Sequence, residues 1–227
     1  MFTLDRVVPW GRSYDEYCRM FALTDGDLHS RILGCGDGPA SFNAEATRRG
    51  SRVVSVDPLY RFTAEQIRER VTQVRDEMLE QTRRNAQDFV WTEIASIDEL
   101  ERRRMSAMTS FLEDFDRGRD EQRYLDGELP SLPFADGSFA LALCSHFLFL
   151  YTEHLGEAFH HDAVRELCRV AAEVRVFPLL ELGGNRSPLV APVIDAIRRE
   201  GCQAEITRVP YEFRRGGNEM LRITRPA

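Results

Sequence analysis

Short apolar runs without regular polar alternation recur along the chain and predict buried strands. These runs lie at residues 31–33, 52–56, 141–144, 173–177, 204–209 and 220–224. Segments with helical spacing separate most of them, and the last two are expected to form an antiparallel pair. Strands that alternate with helices indicate a mostly parallel, doubly wound α/β sheet covered by helices on both faces.

The predicted helices between these strands have recognisable ends. They are expected at residues 13–23, 42–49, 162–170 and 192–200. Ser13 and Glu16 have the spacing of a capping box, which marks the start of the first helix. Gly50 and Gly201 follow the second and the last helix, where glycine is a common terminator.

A charged segment at about residues 61–121 interrupts this alternation after the second strand. Two long helices are expected in it, one starting at Thr63 with Gln66 as its capping partner, the other at Ser96 with Glu99. Their apolar stripes consist of Ile67, Val71, Val74 and Met78 in the first helix and of Ile97, Leu100, Met105, Met108, Phe111, Leu112 and Phe115 in the second. We interpret the segment as a helical insertion in a single domain spanning 1–227, serving as a lid or pocket wall or, alternatively, as an interface of a homodimer.

Composition narrows the function classes. The chain has 227 residues, is 43% hydrophobic and carries a formal net charge of -7. A nucleic-acid partner is not expected, because such binders usually carry a basic excess. The sequence contains no lysine, which excludes Schiff-base chemistry and the lysine of a Walker motif.

The cysteines and the apolar runs bear on the cellular compartment. The chain has five cysteines, an odd number, and no C-x-x-C pair. This disfavours a disulfide framework and a zinc ribbon. The ten N-terminal residues are too short and interrupted for a signal peptide, and the run at residues 139–151 is too short to span a bilayer. A cytoplasmic protein without a membrane partner is therefore expected.

A glycine-rich turn follows the first predicted strand and opens a helix. Its sequence, at residues 32–40, is ILGCGDGPA, and small residues there let the backbone approach a ligand closely. The turn does not fit the G-x-G-x-x-G dinucleotide pattern, because the third glycine place falls on Pro39 or Ser41. A nicotinamide-dependent oxidoreductase is therefore disfavoured, while a tight turn without a ligand remains open.

Two further motifs accompany this turn. Asp57 ends the second strand about twenty residues after the turn, where an acidic side chain can hold a ribose diol or simply cap the next turn. The segment LPFADGSF at residues 132–139 precedes the next buried strand. Together the three motifs resemble those of class I S-adenosylmethionine (SAM)-dependent methyltransferases, over most of the chain apart from the insertion.

The resemblance implies a seven-stranded sheet, SAM as cofactor and a set of contacts to it. It implies Gly34, Cys35 and Gly36 beside the methionine part, Asp57 on the ribose hydroxyls, Pro58 and Leu59 along the adenosine, Glu128 and Leu129 at the adenine, and Ser145 along the cofactor. Relatives usually have a carboxylate at the first place of the glycine motif, which is taken here as Gly34. That carboxylate orients the methionine ammonium.

Histidines and aromatic residues are the remaining candidates. His146, after the fourth strand, can accept a proton from a substrate or serve only as pocket wall. The spacing of His154, His160 and His161 fits no standard metal-ligand set, so no metal is expected. A further group precedes the first strand and either folds over the ligands or packs against the sheet edge; it consists of Trp10, Arg12, Tyr14 and Tyr17.

The function expected from these residues is SAM-dependent methyl transfer to a small-molecule nucleophile. Methyl transfer needs little beyond alignment of the two reactants, because the sulfonium is already activated. The alternative is a non-catalytic SAM-binding sensor or scaffold of the same fold, which glycine in place of the usual carboxylate would favour.

Overall fold

A computed structural model of the chain describes residues 8–225. The expectation about a signal peptide concerns in part residues 1–7, which lie outside the described range. The helices are α1 (Tyr14–Met20), α2 (Asp25–His29), α3 (Phe42–Arg48), α4 (Ala64–Arg84), α5 (Ile97–Asp120), α6 (Thr152–Val170) and α7 (Val190–Arg199). The strands are β1 (Arg31–Cys35), β2 (Arg52–Val56), β3 (Tyr124–Leu125), β4 (Phe139–Ser145), β5 (Ala171–Phe177), β6 (Gln203–Arg208) and β7 (Glu219–Thr224).

The seven strands form one sheet in the order β3-β2-β1-β4-β5-β7-β6. The first five strands of this order run parallel, and β7 pairs antiparallel with both β5 and β6. The predicted fold class, a doubly wound seven-stranded sheet with a final antiparallel pair, is confirmed. The strand order reverses at β1 and β4, so a crevice forms at their carboxyl ends, where ligands bind in such sheets.

Helices cover both faces of the sheet, as the continuous apolar strands predicted. On one face Leu33 and Cys144 pack against the apolar sides of α6 and α7. On the other face Ile32 and Leu143 pack against α1 and α3. Successive residues of β1 and β4 thus point to opposite sides, and both sides are buried.

The insertion consists of α4 and α5, and both capping predictions are confirmed at their first residues. Thr63 and Gln66 form a reciprocal capping box, and the Ser96 hydroxyl accepts from the Glu99 backbone N–H. The predicted stripes face inward, although Ile97, Met105 and Leu112 are only partly buried. Aromatic side chains join the insertion to the sheet edge in a cluster of Tyr60, Phe111, Phe115 and Tyr124.

The structure extends one predicted helix and adds two elements. Helix α6 contains the predicted residues 162–170, begins earlier, at Thr152, and is interrupted by Gly156, with φ of 68°. The pattern of apolar runs missed β3 because it has only two residues, too few to show a period. Helix α2, started by a capping box of Thr24 and Asp27, was not predicted either.

Membrane insertion finds no support in these elements. No helix within residues 8–225 is both long enough and apolar enough to cross a bilayer.

Candidate functional site

The glycine turn after β1 is fixed by its backbone conformation and by close packing. Gly36 has φ of 69° and donates its N–H to the Val56 carbonyl at 2.9 Å. A Cβ at this position would lie 3.1 Å from Cβ of Phe147. Gly38, with φ of 52°, continues the left-handed conformation. Glycine is favoured at both positions, so the turn presents bare backbone to the crevice.

Asp57 braces this turn from the end of β2. One carboxylate oxygen accepts the Gly38 N–H at 2.8 Å, and the other accepts the Leu59 N–H at 2.8 Å. Asp57 therefore does cap the following 3-10 turn, as one of the two sequence interpretations proposed. Each carboxylate oxygen has a second acceptor site, so the half-buried side chain keeps capacity for two hydroxyl donors.

Asp37 is a second carboxylate at the same turn. Its oxygens accept the Tyr17 hydroxyl at 2.8 Å and the Ser55 hydroxyl at 2.7 Å. Burial, together with the negative charge of Asp57, raises the pKa of Asp37 to about 6 although both hydrogen bonds oppose the shift. Burial likewise raises the pKa of Asp57. Two buried acids at one turn favour a cationic ligand.

The position of Asp37 revises the interpretation of Gly34. A Cβ at Gly34 would lie 1.8 Å from a carboxylate oxygen of Asp37, so a side chain there would displace that carboxylate. Gly34 is buried beneath this carboxylate and is not among the residues that line the crevice. Asp37 lines the crevice at that place, and the predicted contact of Gly34 with the cofactor stays a prediction.

The other predicted binding residues surround one cleft at the carboxyl ends of the strands. The cleft measures about 690 Å³, and its walls include Cys35, Gly36, Asp57, Pro58, Leu59, Glu128, Leu129, Ser145 and His146. Glu128 is exposed at the rim and Leu129 is buried. The structure thus places eight of the nine predicted cofactor residues, and His146, around a common space.

The segment at residues 8–12 lies across the glycine turn. The Arg12 carbonyl accepts the Ser41 N–H at 3.0 Å, and Gly11 packs so closely on Pro39 that a Cβ would lie 2.2 Å from its carbonyl oxygen. Trp10 and Arg12 consequently line the cleft. Of the four residues singled out before the first strand, Tyr17 also lines the cleft, whereas Tyr14 stacks on Phe42 beneath the sheet face.

A smaller cavity of about 140 Å³ adjoins the cleft and shares part of its wall. Val8, Trp10, Arg12 and His146 border both spaces. The insertion contributes Met78, Thr82, Phe89, Leu100 and Arg104 to the smaller cavity. The insertion is therefore a wall of this cavity, whereas the structure of a single chain does not test the dimer interface.

A cluster of charged and polar side chains lies at one end of the smaller cavity. Glu16, the capping partner of Ser13, also receives a hydrogen bond from Arg104 and one from the Tyr211 hydroxyl at 2.7 Å. Despite the opposing effect of burial, the charge and hydrogen bond of Arg104 hold the pKa of Glu16 well below its usual range. Burial and the nearby charge of Arg104 lower the pKa of Arg12 to about 10.

His146 lies where the two spaces meet. Its backbone has φ of 53°, and its N–H donates to the Phe177 carbonyl at 2.7 Å, which ties the end of β4 to β5. Nδ1 lies 2.9 Å from the Ser145 hydroxyl. Burial first, then the positive charges of Arg12 and Arg104, lower the pKa of His146 well below its usual value. His146 is therefore neutral at physiological pH.

The remaining histidines have structural partners. His160 is buried, accepts the Phe149 N–H on Nε2 at 3.0 Å and pairs through Nδ1 with the Gly156 carbonyl. His161 pairs with Glu200 at 3.0 Å. Across residues 8–225 no three His, Cys, Asp or Glu side chains are arranged to hold a metal ion.

A sequence relative spans nearly the whole chain. It is the "Uncharacterized protein MJ0045" of Methanocaldococcus jannaschii, 36% identical over 223 residues, with 98% of both proteins covered. The chain belongs to the family of this archaeal protein. No known protein-family profile matches the sequence.

Solved structures with lower sequence identity are methyltransferases. Magnesium protoporphyrin IX methyltransferase from Synechocystis, with bound S-adenosylhomocysteine (SAH), is 12% identical with a TM-score of 0.46, over 89% of this chain and 77% of that one. A SAM-dependent methyltransferase from Thermotoga maritima, described as a possible histamine N-methyltransferase, is 12% identical with a TM-score of 0.46, over 94% and 90%.

Two residues of this site were missed or undervalued in the sequence. Arg104 lies four residues from both Leu100 and Met108, so helical spacing places it on the apolar stripe of α5. A charged residue on such a stripe indicates a buried ionic site, and this was the available signal. Asp37 had no comparable signal, because only the folded turn brings its carboxylate over Gly34.

Proposed function

We propose that this protein binds SAM in the cleft at the carboxyl ends of the strands and transfers the methyl group to a small molecule. The observation that carries the proposal is the pair of carboxylates, Asp37 and Asp57, at a bare glycine turn beside a second, apolar cavity. Such a turn admits a ligand, and the adjoining cavity provides a place for its reaction partner.

The residues present fit the chemical groups of SAM. Asp57 has two unused acceptor sites, which match the two ribose hydroxyls. Asp37 provides negative charge at the turn, which matches the methionine ammonium. Leu59 and the exposed Glu128 lie along the part of the cleft assigned to adenosine and adenine. When bound, the cofactor supplies an activated methyl group.

The residues between the cleft and the smaller cavity would position the methyl acceptor. Trp10, Arg12 and His146 border both the cleft and the cavity, so an acceptor in the cavity is held next to the cofactor and shielded from water. Alignment of this kind supplies much of the rate of methyl transfer. In the tautomer that carries its proton on Nδ1 and donates it to Ser145, Nε2 of the neutral His146 can accept a proton from a hydroxyl or amine.

The size of the cavity supports a small acceptor. At about 140 Å³ it resembles an engineered protein cavity of about 150 Å³ that holds benzene.

The sensor alternative depended on the missing carboxylate at Gly34. Asp37 brings a carboxylate to that place, which supports the enzyme over the binding-only protein. The distinguishing experiment incubates the protein with methyl-labelled SAM and a fractionated extract of small metabolites. Labelled product that disappears in Asp57→Asn supports the enzyme, whereas SAH binding without transfer to any fraction would support the sensor.

A further inference from the structure

The smaller cavity has an apolar wall and a cationic floor. Its apolar lining includes Met78, Phe89, Leu150, Leu180 and Phe213. Arg12 and Arg104 border the same space from the segment before α1 and from α5. Burying a charged group in such surroundings raises the free energy of the folded protein unless its hydrogen-bonding groups are satisfied.

These two guanidinium groups are not satisfied by the described residues. Nε of Arg12 and both Nε and Nη2 of Arg104 are enclosed, and none has a hydrogen-bond acceptor within residues 8–225. Arg104 is only 1% exposed, so water does not hydrate its side chain. Three orphaned donors at one cavity are unusual, because buried polar groups are nearly always paired.

The neighbouring carboxylates do not pair with these three donors. Glu16 accepts the Tyr211 hydroxyl on Oε1, and Ser13 and Nη1 of Arg104 on Oε2. Glu181 also lines the cavity, from the loop after β5, but no contact of its carboxylate with either arginine is present among the described residues. The third arginine of the wall, Arg214, is already paired with Asp88 and the Gly183 carbonyl.

We propose that the cavity binds a ring-sized apolar acid, whose carboxylate is held by Arg12 and Arg104 while its ring lies among the apolar side chains. This inference rests on the proposed function and names the class of methyl acceptor. A carboxylate matches a guanidinium in charge and geometry and forms the stronger, charge-assisted kind of hydrogen bond. It would bring a negative charge to two guanidinium groups at the cavity, of which Arg12 has no carboxylate partner among the described residues.

Calorimetric titration with two matched probes tests the proposal. Benzoate and benzamide have nearly the same shape and differ in the charge that the arginines would recognise. We expect benzoate to bind about tenfold more tightly than benzamide, the ratio that one hydrogen bond to a charged group provides. The preference should disappear in Arg12→Met and persist in Arg103→Met, which removes an exposed arginine next to Arg104 on α5.

A double variant covers the case in which Arg12→Met does not fold. Glu16→Gln with Arg104→Met removes the buried ion pair as a unit and with it one of the two guanidinium groups, so it should also reduce the preference for benzoate. Equal binding of the two probes by the unmodified protein, or an unchanged preference in the folded variants, would overturn the proposal.

A parallel titration with SAH separates this inference from the proposed function. SAH binding without any preference for benzoate contradicts the acid-binding cavity alone. Preference for benzoate without SAH binding contradicts the methyltransferase and leaves an acid-binding protein.

Discussion

The buried carboxyl of Asp37 makes the stability of this protein depend on pH in a calculable way. Its pKa rises from 3.8 to about 6 on folding, chiefly through burial. Because the folded state holds the proton more tightly, the stabilisation is fully present below about pH 4 and is lost as the pH rises through 6. A shift of about two units corresponds to roughly 3 kcal/mol in all, of which about 1.4 kcal/mol falls between pH 5 and pH 8.

The substitution Asp37→Asn removes this ionisation while keeping a side chain of the same shape. The hydroxyls of Tyr17 and Ser55 can still donate to the amide oxygen. Urea unfolding of both proteins at pH 5 and pH 8 gives the free energies of unfolding. The variant should gain about 1.4 kcal/mol relative to the unmodified protein between the two pH values.

Comparison of the two proteins cancels the titrating groups that do not interact with Asp37. Asp116→Asn, which alters an exposed carboxylate on α5, is the matched control and should show no such gain. If the difference in free energy of unfolding between Asp37→Asn and the unmodified protein is the same at pH 5 and pH 8, the argument that this carboxyl is buried without a cation is refuted.

Three other predictions concern the turn, the insertion and the candidate base. Gly36→Ala and Gly50→Ala both force alanine into a positive φ, and each should lower the free energy of unfolding in urea by about 1–2 kcal/mol. Only Gly36 lines the cleft, so only Gly36→Ala should also weaken SAH binding, about tenfold in calorimetry. Equal SAH affinities of the two variants would contradict this. Phe111→Ala, in the fully buried aromatic cluster of the insertion, should lower the free energy of unfolding by about 3–5 kcal/mol, and a loss below about 1 kcal/mol would mean that the insertion is loosely packed. Because the pKa of His146 lies well below 6.5, His146 should contribute no acid limb near that pH to the pH–rate profile of methyl transfer; a limb there that His146→Gln abolishes would contradict the environment described.

Local patterns predicted the fold well because they depend on neighbours in sequence. Residue spacing alone predicts the capping boxes at Ser13 and Thr63 and the buried strands that alternate with helices. All of them are present. The start of α6 was not predicted, because Gly156 separates a preceding turn of helix from the apolar stripe at residues 162–170.

The candidate site was predictable only in part, because its charges meet over long distances in sequence. Asp57 and the glycine turn belong to adjoining strands, and their proximity follows from the fold class. Arg104 and Glu16, in contrast, are 88 residues apart, and nothing in the pattern of α5 specifies that partner. Tyr211 joins the same cluster from near the end of the chain.

The most direct test of the account is calorimetric titration of the protein with SAH, with NAD as the control nucleotide. We expect SAH to bind at one site and NAD not to bind, because the glycine turn departs from the dinucleotide pattern. Asp57→Asn, which removes the negative charge beside the ribose position, should abolish or strongly weaken SAH binding. Undiminished SAH binding by Asp57→Asn would mean that SAH binds outside this cleft. No SAH binding by the unmodified protein would contradict the central claim, that the cleft binds SAM.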